Sequence, residues 1–369
     1  MQTYNWQQND WPHFRYKLNG VESLLLSFAE TSGHVNGMVR GLPENLKVET
    51  LLDLMVAEAL KTSAIEGENL NRDDVVSSLK KNLGLIVDRK AIKDKKADGM
   101  GRLLTDVRKT FAVPLTQEQL FAWHLMIMSG TTDVFAGDWR KGSEPMQVVS
   151  GAMGKTKVHF EAPPSSRVPV EMKRFIQWFN DTAPGGKQAI TKAPVRAAVA
   201  HLYFESIHPF EDGNGRMGRA VAEKALSQTL GRPVLLSLSK SIEAKKQAYY
   251  QALQKAQRSN EVTPWLAYFV AVVNEAQTDA EAQVVFTLKK ALFFEKHKAG
   301  LNERQHRVIV RMFAEGPAGF KGGMNAAKYI GITKTSKATA TRDLQQLTEA
   351  KALLLTGGGR STHYHLNLD

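Results

Sequence analysis

The chain has 369 residues, with 49 Lys and Arg against 37 Asp and Glu for a formal charge of +12, and it contains no cysteine. The lack of cysteine excludes a disulfide framework, a thiolate metal site and a cysteine nucleophile, while the length allows two or three domains around a substantial core. The N-terminal residues Met1 to Trp6 lack the basic-then-apolar profile of a signal peptide, and no apolar run reaches membrane-spanning length, so the expected compartment is the cytoplasm with no membrane partner.

The opening is aromatic, with Tyr4, Trp6, Trp11, Phe14 and Tyr16, and is expected to pack against the body of the protein. Helical patterns follow at about Gly20–Met38, Leu46–Ile65 and Arg72–Leu83. The second of these has an apolar side at Leu51, Leu52, Met55 and Leu60, and it closes on Thr62-Ser-Ala-Ile-Glu66-Gly67 with Gly67 as its C-cap. Residues 88–98 are charged and poorly periodic, which reads as a solvated linker or helix face. Thr116 and Gln119 form a capping box opening an apolar helix that runs through Met128. Two β-prone runs, Met146–Ser150 and Val158–Phe160, flank a turn at Gly151-Ala-Met-Gly154 and predict a hairpin stopped by Pro163-Pro164. Helices are then expected over Pro194–Ile207 and Asn214–Leu230, and a later helical segment carries Tyr249 and Tyr250.

The join between those two helices reads His208-Pro-Phe-Glu-Asp-Gly-Asn-Gly-Arg-Met-Gly-Arg219. The glycines flanking Asn214 free the backbone to turn its N–H groups inward. A glycine loop running into a helix start is a natural phosphate site, because unpaired amides and the helix dipole both favour negative charge. Arg216 and Arg219 lie three apart and project to one side, with guanidinium forks suited to phosphate oxygens. Asp212 offers the hard oxygen ligand that Mg²⁺ takes beside nucleotide phosphates. His208 can accept a proton near neutral pH.

This string resembles the signature of the Fic family, H-x-F-x-[D/E]-G-N-G-R-x-x-R, with His208, Phe210, Asp212, Gly213, Asn214, Gly215, Arg216 and Arg219 at all its fixed positions. The resemblance implies transfer of AMP from ATP to a Ser, Thr or Tyr hydroxyl of a target protein, the chain itself included. It gives His208 the role of base, Asp212 that of Mg²⁺ ligand, the Gly213–Gly215 amides that of anion hole, and Arg216 and Arg219 that of clamps on the β- and γ-phosphates. Phe210 becomes a core anchor and the hairpin becomes a flap that holds the target segment by strand pairing. Ser150 and Gly151 on that flap, with Tyr250 and Gln257 beyond the motif, are the remaining nucleotide-binding candidates. Gln257 stands where related enzymes have Asn. Thr62, Glu66 and Gly67 resemble the family's inhibitory pattern, [S/T]-x-x-x-E-[G/N], in which the carboxylate occupies the arginine that should grip the γ-phosphate. The fold implied is all-α: an N-terminal helical region over residues 1–100 and a Fic-type core with its hairpin over 101–285, followed by a third domain over 286–369.

That last region has its own pattern. Helices are expected at Glu303–Glu315, Asn325–Ile330 and, after a turn at Gly331, Ser336–Glu349; two strands, Leu353–Thr356 and Ser361–Leu368, surround Gly357-Gly-Gly359. Three helices and a hairpin predict a winged helix-turn-helix with Ser336–Glu349 as its recognition helix. Lys334, Lys337, Arg342 and Arg360 are placed to meet phosphates. From Lys289 to Asp369 there are 14 basic and 6 acidic residues, so most of the net charge sits here and DNA is an expected partner of residues 301–369. Winged helices also serve as dimer or protein-docking modules, and a homodimer is compatible with the sequence.

Two rival functions keep the same residues. A DNA-binding regulator with a nucleotide-sensing Fic-like domain would need no base at His208, and a Fic-type enzyme removing AMP would use Glu66 to orient water. His201, Glu205 and His208 share a helix face in a zinc-compatible arrangement, but their spacing is not that of the His-Glu-x-x-His metalloproteases. No Walker-type phosphate loop is present.

Overall fold

Side-chain caps set many of the helix starts. Asn71, Asp94, Thr116, Ser237, Asn302, Asn325 and Ser336 each accept a hydrogen bond from a backbone N–H two or three residues on, which satisfies amides the first turn leaves unpaired. The computed structural model describes residues 3–85, 92–150 and 157–368, apart from the side chains of Ser150, Lys157 and Arg360. Helices α1 (Glu22–Gly41), α2 (Glu44–Ile65), α3 (Arg72–Asn82), α4 (Lys95–Lys109) and α5 (Gln117–Ile127) lead to strands β1 (Gln147–Ser150) and β2 (Lys157–Glu161). Then come α6 (Val168–Asp181), α7 (Ala193–Ile207), α8 (Asn214–Leu230), α9 (Leu238–Ala244), α10 (Lys246–Ala256) and α11 (Thr263–His297). The chain ends with α12 (Glu303–Phe313), α13 (Ala326–Thr333), α14 (Lys337–Glu349), β3 (Leu353–Thr356) and β4 (His363–Leu366). The described residues are mostly helical, and no described helix is long and apolar enough to cross a membrane.

Two compact units are present, Met1–His34 with Leu51–Thr278 and Val35–Thr50 with Asp279–Asp369. The larger is built around α7, in which every residue from Ala193 to Ile207 is buried. A helix wrapped on all sides shows no amphipathic stripe, and its polar members need internal partners. Arg196 finds them in the carbonyls of Phe179 and Ala225 and the Gln228 side chain. The aromatic N-terminus does pack on this unit. Trp6 Nε1 donates to the Glu161 carbonyl, Trp11 Nε1 donates to Glu171, and Tyr4 meets Phe160 edge to face. β1 and β2 pair antiparallel, Gln147 opposite Glu161 and Ser150 opposite Lys157, with a register shift after Val148. The expected turn residues Gly151 to Gly154 lie outside the described residues.

In the smaller unit, Val308, Ile309, Met312, Tyr329, Leu344, Leu347 and Leu353 make one core with Phe286 and Phe293 of α11, and β3 and β4 pair antiparallel. The expected turn at Gly331 is a correction: α13 continues through it to Thr333. Lys334 takes the left-handed cap instead, at φ +57°, and its N–H returns to the Ile330 carbonyl. The last strand is also shorter than expected, because a single 3₁₀ turn spans Gly359–Ser361 before it.

Helix α4 reaches α5 through Gly99, where a methyl group would collide with the Met126 carbonyl. Backbone cannot yield as a side-chain tip can. Gly99→Ala is therefore expected to destabilise the protein by about 1–3 kcal/mol, the range for overpacked cores, and urea denaturation followed by circular dichroism measures it.

Candidate active site

The C-terminus of α7 and the N-terminus of α8 are joined by a turn whose conformation depends on side chains inside it. His208 caps α7 in the left-handed region at φ +52°, and its N–H bonds the Phe204 carbonyl at 2.9 Å. A non-glycine residue held there is strained unless its surroundings enforce it. They do so twice. The Arg140 guanidinium donates to the His208 carbonyl at 2.8 Å, and the Arg140 N–H bonds the Pro209 carbonyl at 2.9 Å. Beyond the histidine, Asn214 closes the loop on itself, its amide donating to the Phe210 carbonyl and accepting from the Phe210 N–H. Phe210 is fully buried and stacks on His124 with ring centres 3.9 Å apart, as a core anchor should.

His124 is fixed in one tautomer by its neighbours. Gly137 N–H donates to its Nδ1, so the proton sits on Nε2 and is donated to the Asp212 carbonyl at 3.1 Å. Burial lowers its pKa to about 4, which keeps it neutral. That bond fixes the backbone of Asp212, whose side chain is 58 % exposed and receives the Gly213 N–H. Gly213 then enters α8 at φ +79°, a conformation that glycine adopts without strain. The first-turn amides of α8 point out of the helix end toward the same space. A carboxylate oxygen exposed at that end fits the donor chemistry expected of an Mg²⁺ ligand.

On the first turns of α8, Arg216 and Arg219 are nearly inaccessible to solvent, and both are met by carboxylates from the end of α2. Arg219 Nε donates to the Thr62 hydroxyl at 2.7 Å, and its Nη2 donates to the Thr62 carbonyl and to Glu66 at 2.9 and 2.8 Å. Arg216 donates to Glu68 at 2.6 Å, and Lys96 of α4 holds the other oxygen of the same carboxylate at 2.6 Å. Gly67 makes this pairing reachable. At φ +84° it sends its N–H back to Ala64, and the Glu68 N–H returns to Ser63, a Schellman closure that reverses the chain between the two glutamates. Gly215 leaves the room, since a methyl group there would collide with the Glu66 carboxylate. Burial opposes the charge of Arg219, but Glu66, Tyr249 and Glu205 together outweigh it and the guanidinium pKa is raised.

The base candidate sits between these groups. Burial, and then the charge of Arg140, lower the pKa of His208 to about 4, so the imidazole is neutral. Its Nδ1 lies 3.7 Å from Glu205 of α7. Burial pushes the Glu205 carboxyl up to about 8, with Arg219 opposing the shift and Glu66 adding to it. The zinc arrangement is not assembled: His201 Nε2 lies 2.8 Å from the Tyr249 hydroxyl, and no group of three metal-binding side chains exists among the described residues.

Other candidates are scattered. Tyr250 donates to the Ile65 carbonyl at 3.3 Å, at the end of α2 beside Glu66. Gln257 is buried and its amide donates to the Glu205 carbonyl at 3.1 Å, so it braces α7. The backbone of Ser150 pairs in the hairpin, while its side chain and Gly151 lie outside the described residues. Sequence reading missed Glu68, Arg140 and His124. Only Glu68 left a signal, a second carboxylate two residues after Glu66 across a glycine.

Residues 114–226 match the model of the Fic/DOC family, and residues 4–85 match one described as a domain of unknown function, DUF4172. A protein adenylyltransferase Fic of Culex quinquefasciatus is 27 % identical over 196 residues, which is 52 % of this chain and 35 % of that protein. A protein adenylyltransferase of Caenorhabditis elegans is 32 % identical over 107 residues, 29 % of this chain and 19 % of the relative. The matched segments thus span between 19 and 35 % of the length of these two curated relatives. Among solved structures, a Fic family protein from Desulfovibrio desulfuricans G20 covers 95 % of this chain and 97 % of its own at a TM-score of 0.52, a likeness of fold at 19 % identity.

Glu205 generates a pH prediction. Its folded pKa of about 8 lies above the ordinary 4.5, so its contribution to stability is complete below about 4.5 and is lost as pH rises toward 8. Glu205→Gln cannot release that proton. The variant is expected to gain stability relative to the parent between pH 4.5 and 8, and parallel urea midpoints across that range would refute the assignment.

Proposed function

Since residues 114–226 form a Fic/DOC-family domain, we propose that this chain is a protein adenylyltransferase, moving AMP from ATP to a hydroxyl of a target protein and held back by its own α2 terminus. One observation carries the reading. A neutral histidine, an exposed carboxylate, a helix N-terminus and two buried arginines converge within residues 208–219, and a nitrogen of each guanidinium, Arg216 Nε and Arg219 Nη1, is buried without a hydrogen bond. Buried donors left unpaired are costly, and phosphate oxygens would satisfy them.

In the reaction, the target hydroxyl oxygen attacks the α-phosphorus of ATP, the bond to the bridging β-phosphate oxygen breaks, and pyrophosphate departs. The proton of the hydroxyl passes to His208, whose depressed pKa leaves the ring free to take it at neutral pH. Bound through Asp212, Mg²⁺ would neutralise charge on the phosphates. The α8 amides and the arginines orient the triphosphate, so positioning and charge neutralisation supply most of the rate. The β1–β2 hairpin exposes Val149 and Val158 and offers strand edges to an extended target segment.

Inhibition in this reading has two latches. Glu66 takes the Arg219 group that should hold the γ-phosphate, and Glu68 takes Arg216. Incubation with α-³²P-labelled ATP, Mg²⁺ and cell lysate tests both levels. Glu66→Gly is expected to raise labelling, and Glu66→Gly/His208→Ala to abolish it. Glu68→Ala on the Glu66→Gly background is expected to tighten ATP binding on the order of tenfold, the worth of one charge-assisted hydrogen bond of about 1.5 kcal/mol. Silent Glu66→Gly protein that still binds ATP would favour removal of AMP or nucleotide sensing instead.

A further inference from the structure

We propose that the outward face of α14 binds double-stranded DNA, lying in the major groove with Arg342 and Gln345 against base edges and with Lys334 and Lys337 on flanking phosphates. The argument begins with where the charges of this helix point. α14 follows α13 after the three-residue turn Lys334–Ser336, bent by the left-handed Lys334, so the two helices form a helix-turn-helix packed on α12 and the β3–β4 hairpin. Its inward side is apolar, through Ala340, Leu344 and Leu347. Its outward side carries Lys337, Ala338, Thr341, Arg342 and Gln345, all exposed, at spacings that share one face over more than two turns.

The acidic residue that would spoil this face has been withdrawn from it. Asp343 is buried, and its carboxylate is held by Arg304 at 2.9 and 3.2 Å and by the Tyr329 hydroxyl at 2.8 Å. Those bonds keep the carboxyl below its ordinary pKa even against burial. Glu349 lies at the far end, one turn beyond Gln345. The remaining outward surface is positive and hydrogen-bonding, with alanine and threonine small enough for close approach. A single helix of this size fits the major groove, where arginine pairs with guanine, glutamine with adenine, and small side chains with the thymine methyl. Lysines at the helix entrance supply the sequence-independent phosphate term. A folded RNA offers no such groove, because A-form major grooves are too narrow for a helix. β3 also exposes Leu354 and Leu355, and a second copy docked there is the competing occupant.

The test uses the full chain. Selection from a random duplex library, followed by fluorescence anisotropy on the enriched duplex across a salt series, is expected to give a defined sequence bound with steep salt dependence. Arg342→Ala should lose preference at one base position with a drop of roughly tenfold, and Lys334→Ala and Lys337→Ala should each reduce the log–log salt slope by about one while leaving preference unchanged. These side chains are exposed, so thermal melts of the variants should match the parent. Three results would overturn the proposal: no enriched sequence and no salt-dependent binding, binding that the face variants leave intact, or a dimer in sedimentation lost on Leu354→Lys with no affinity for DNA.

Discussion

A buried guanidinium needs acceptors for its N–H groups, and at Arg216 and Arg219 those acceptors include carboxylates, a pairing that organises the candidate site. Arg219 is 2 % exposed, and leaving a charge uncompensated at such depth costs several kcal/mol. The helix that carries it meets a carboxylate here, and a phosphate offers the same charge complement. Here the partner comes from 153 positions earlier in the chain. The proposed inhibition and the proposed nucleotide site are thus one requirement read in two states, because whatever displaces Glu66 has to bring negative charge of its own. A neutral ligand would leave the arginine worse off than before.

Backbone strain supplies the second constraint. His208 at positive φ ends α7 six positions before Asn214 opens α8, so a short loop ties the histidine to the helix N-terminus. Arg140 and Asn214 stabilise that turn through carbonyls and amides, and so they act on geometry and leave the chemistry to others. Arg140 has a second effect, since its charge adds to burial in disfavouring the imidazolium, which keeps the ring neutral. One side chain thereby couples conformation to protonation state.

What could be read in the sequence follows from distance along the chain. The motif from His208 to Arg219 is legible because its parts are contiguous and each residue type has a defined use. Glu66 is legible because a helix end, a glycine cap and a carboxylate coincide beside one another. His124, Arg140 and Lys96 come from α5, the segment before β1, and α4, and nothing local marks them; only packing brings the first two to the loop and Lys96 to Glu68. The helix expected over Pro194–Ile207 is α7, although every face of it is an inner face and no amphipathic stripe marks it. Gly331 misled in the opposite direction: glycine is the usual helix terminator, yet a lysine takes the left-handed cap three residues later, and the packing of Ile332, beyond the glycine, against the tertiary core overrides the local preference.

The pair Glu66 and Glu68 differs in how easily each could be released. Among the described residues Glu66 is answered by Arg219 alone of the cations, while Glu68 is shared between Arg216 and Lys96. A carboxylate bridging two cations gives up one bond without becoming unpaired. If Arg216 turns to a phosphate, Glu68 retains Lys96 at a partly exposed position, where water covers the remaining oxygen. Glu66 has no second cation among the described residues to fall back on, so its displacement must also move the end of α2 or carry the carboxylate further into solvent. The Tyr250 hydroxyl on the Ile65 carbonyl opposes the first of these. In the proposed inhibition, release of Glu66 is accordingly the harder step, and the difference comes from partner count: both ion pairs are short, and both arginines are buried.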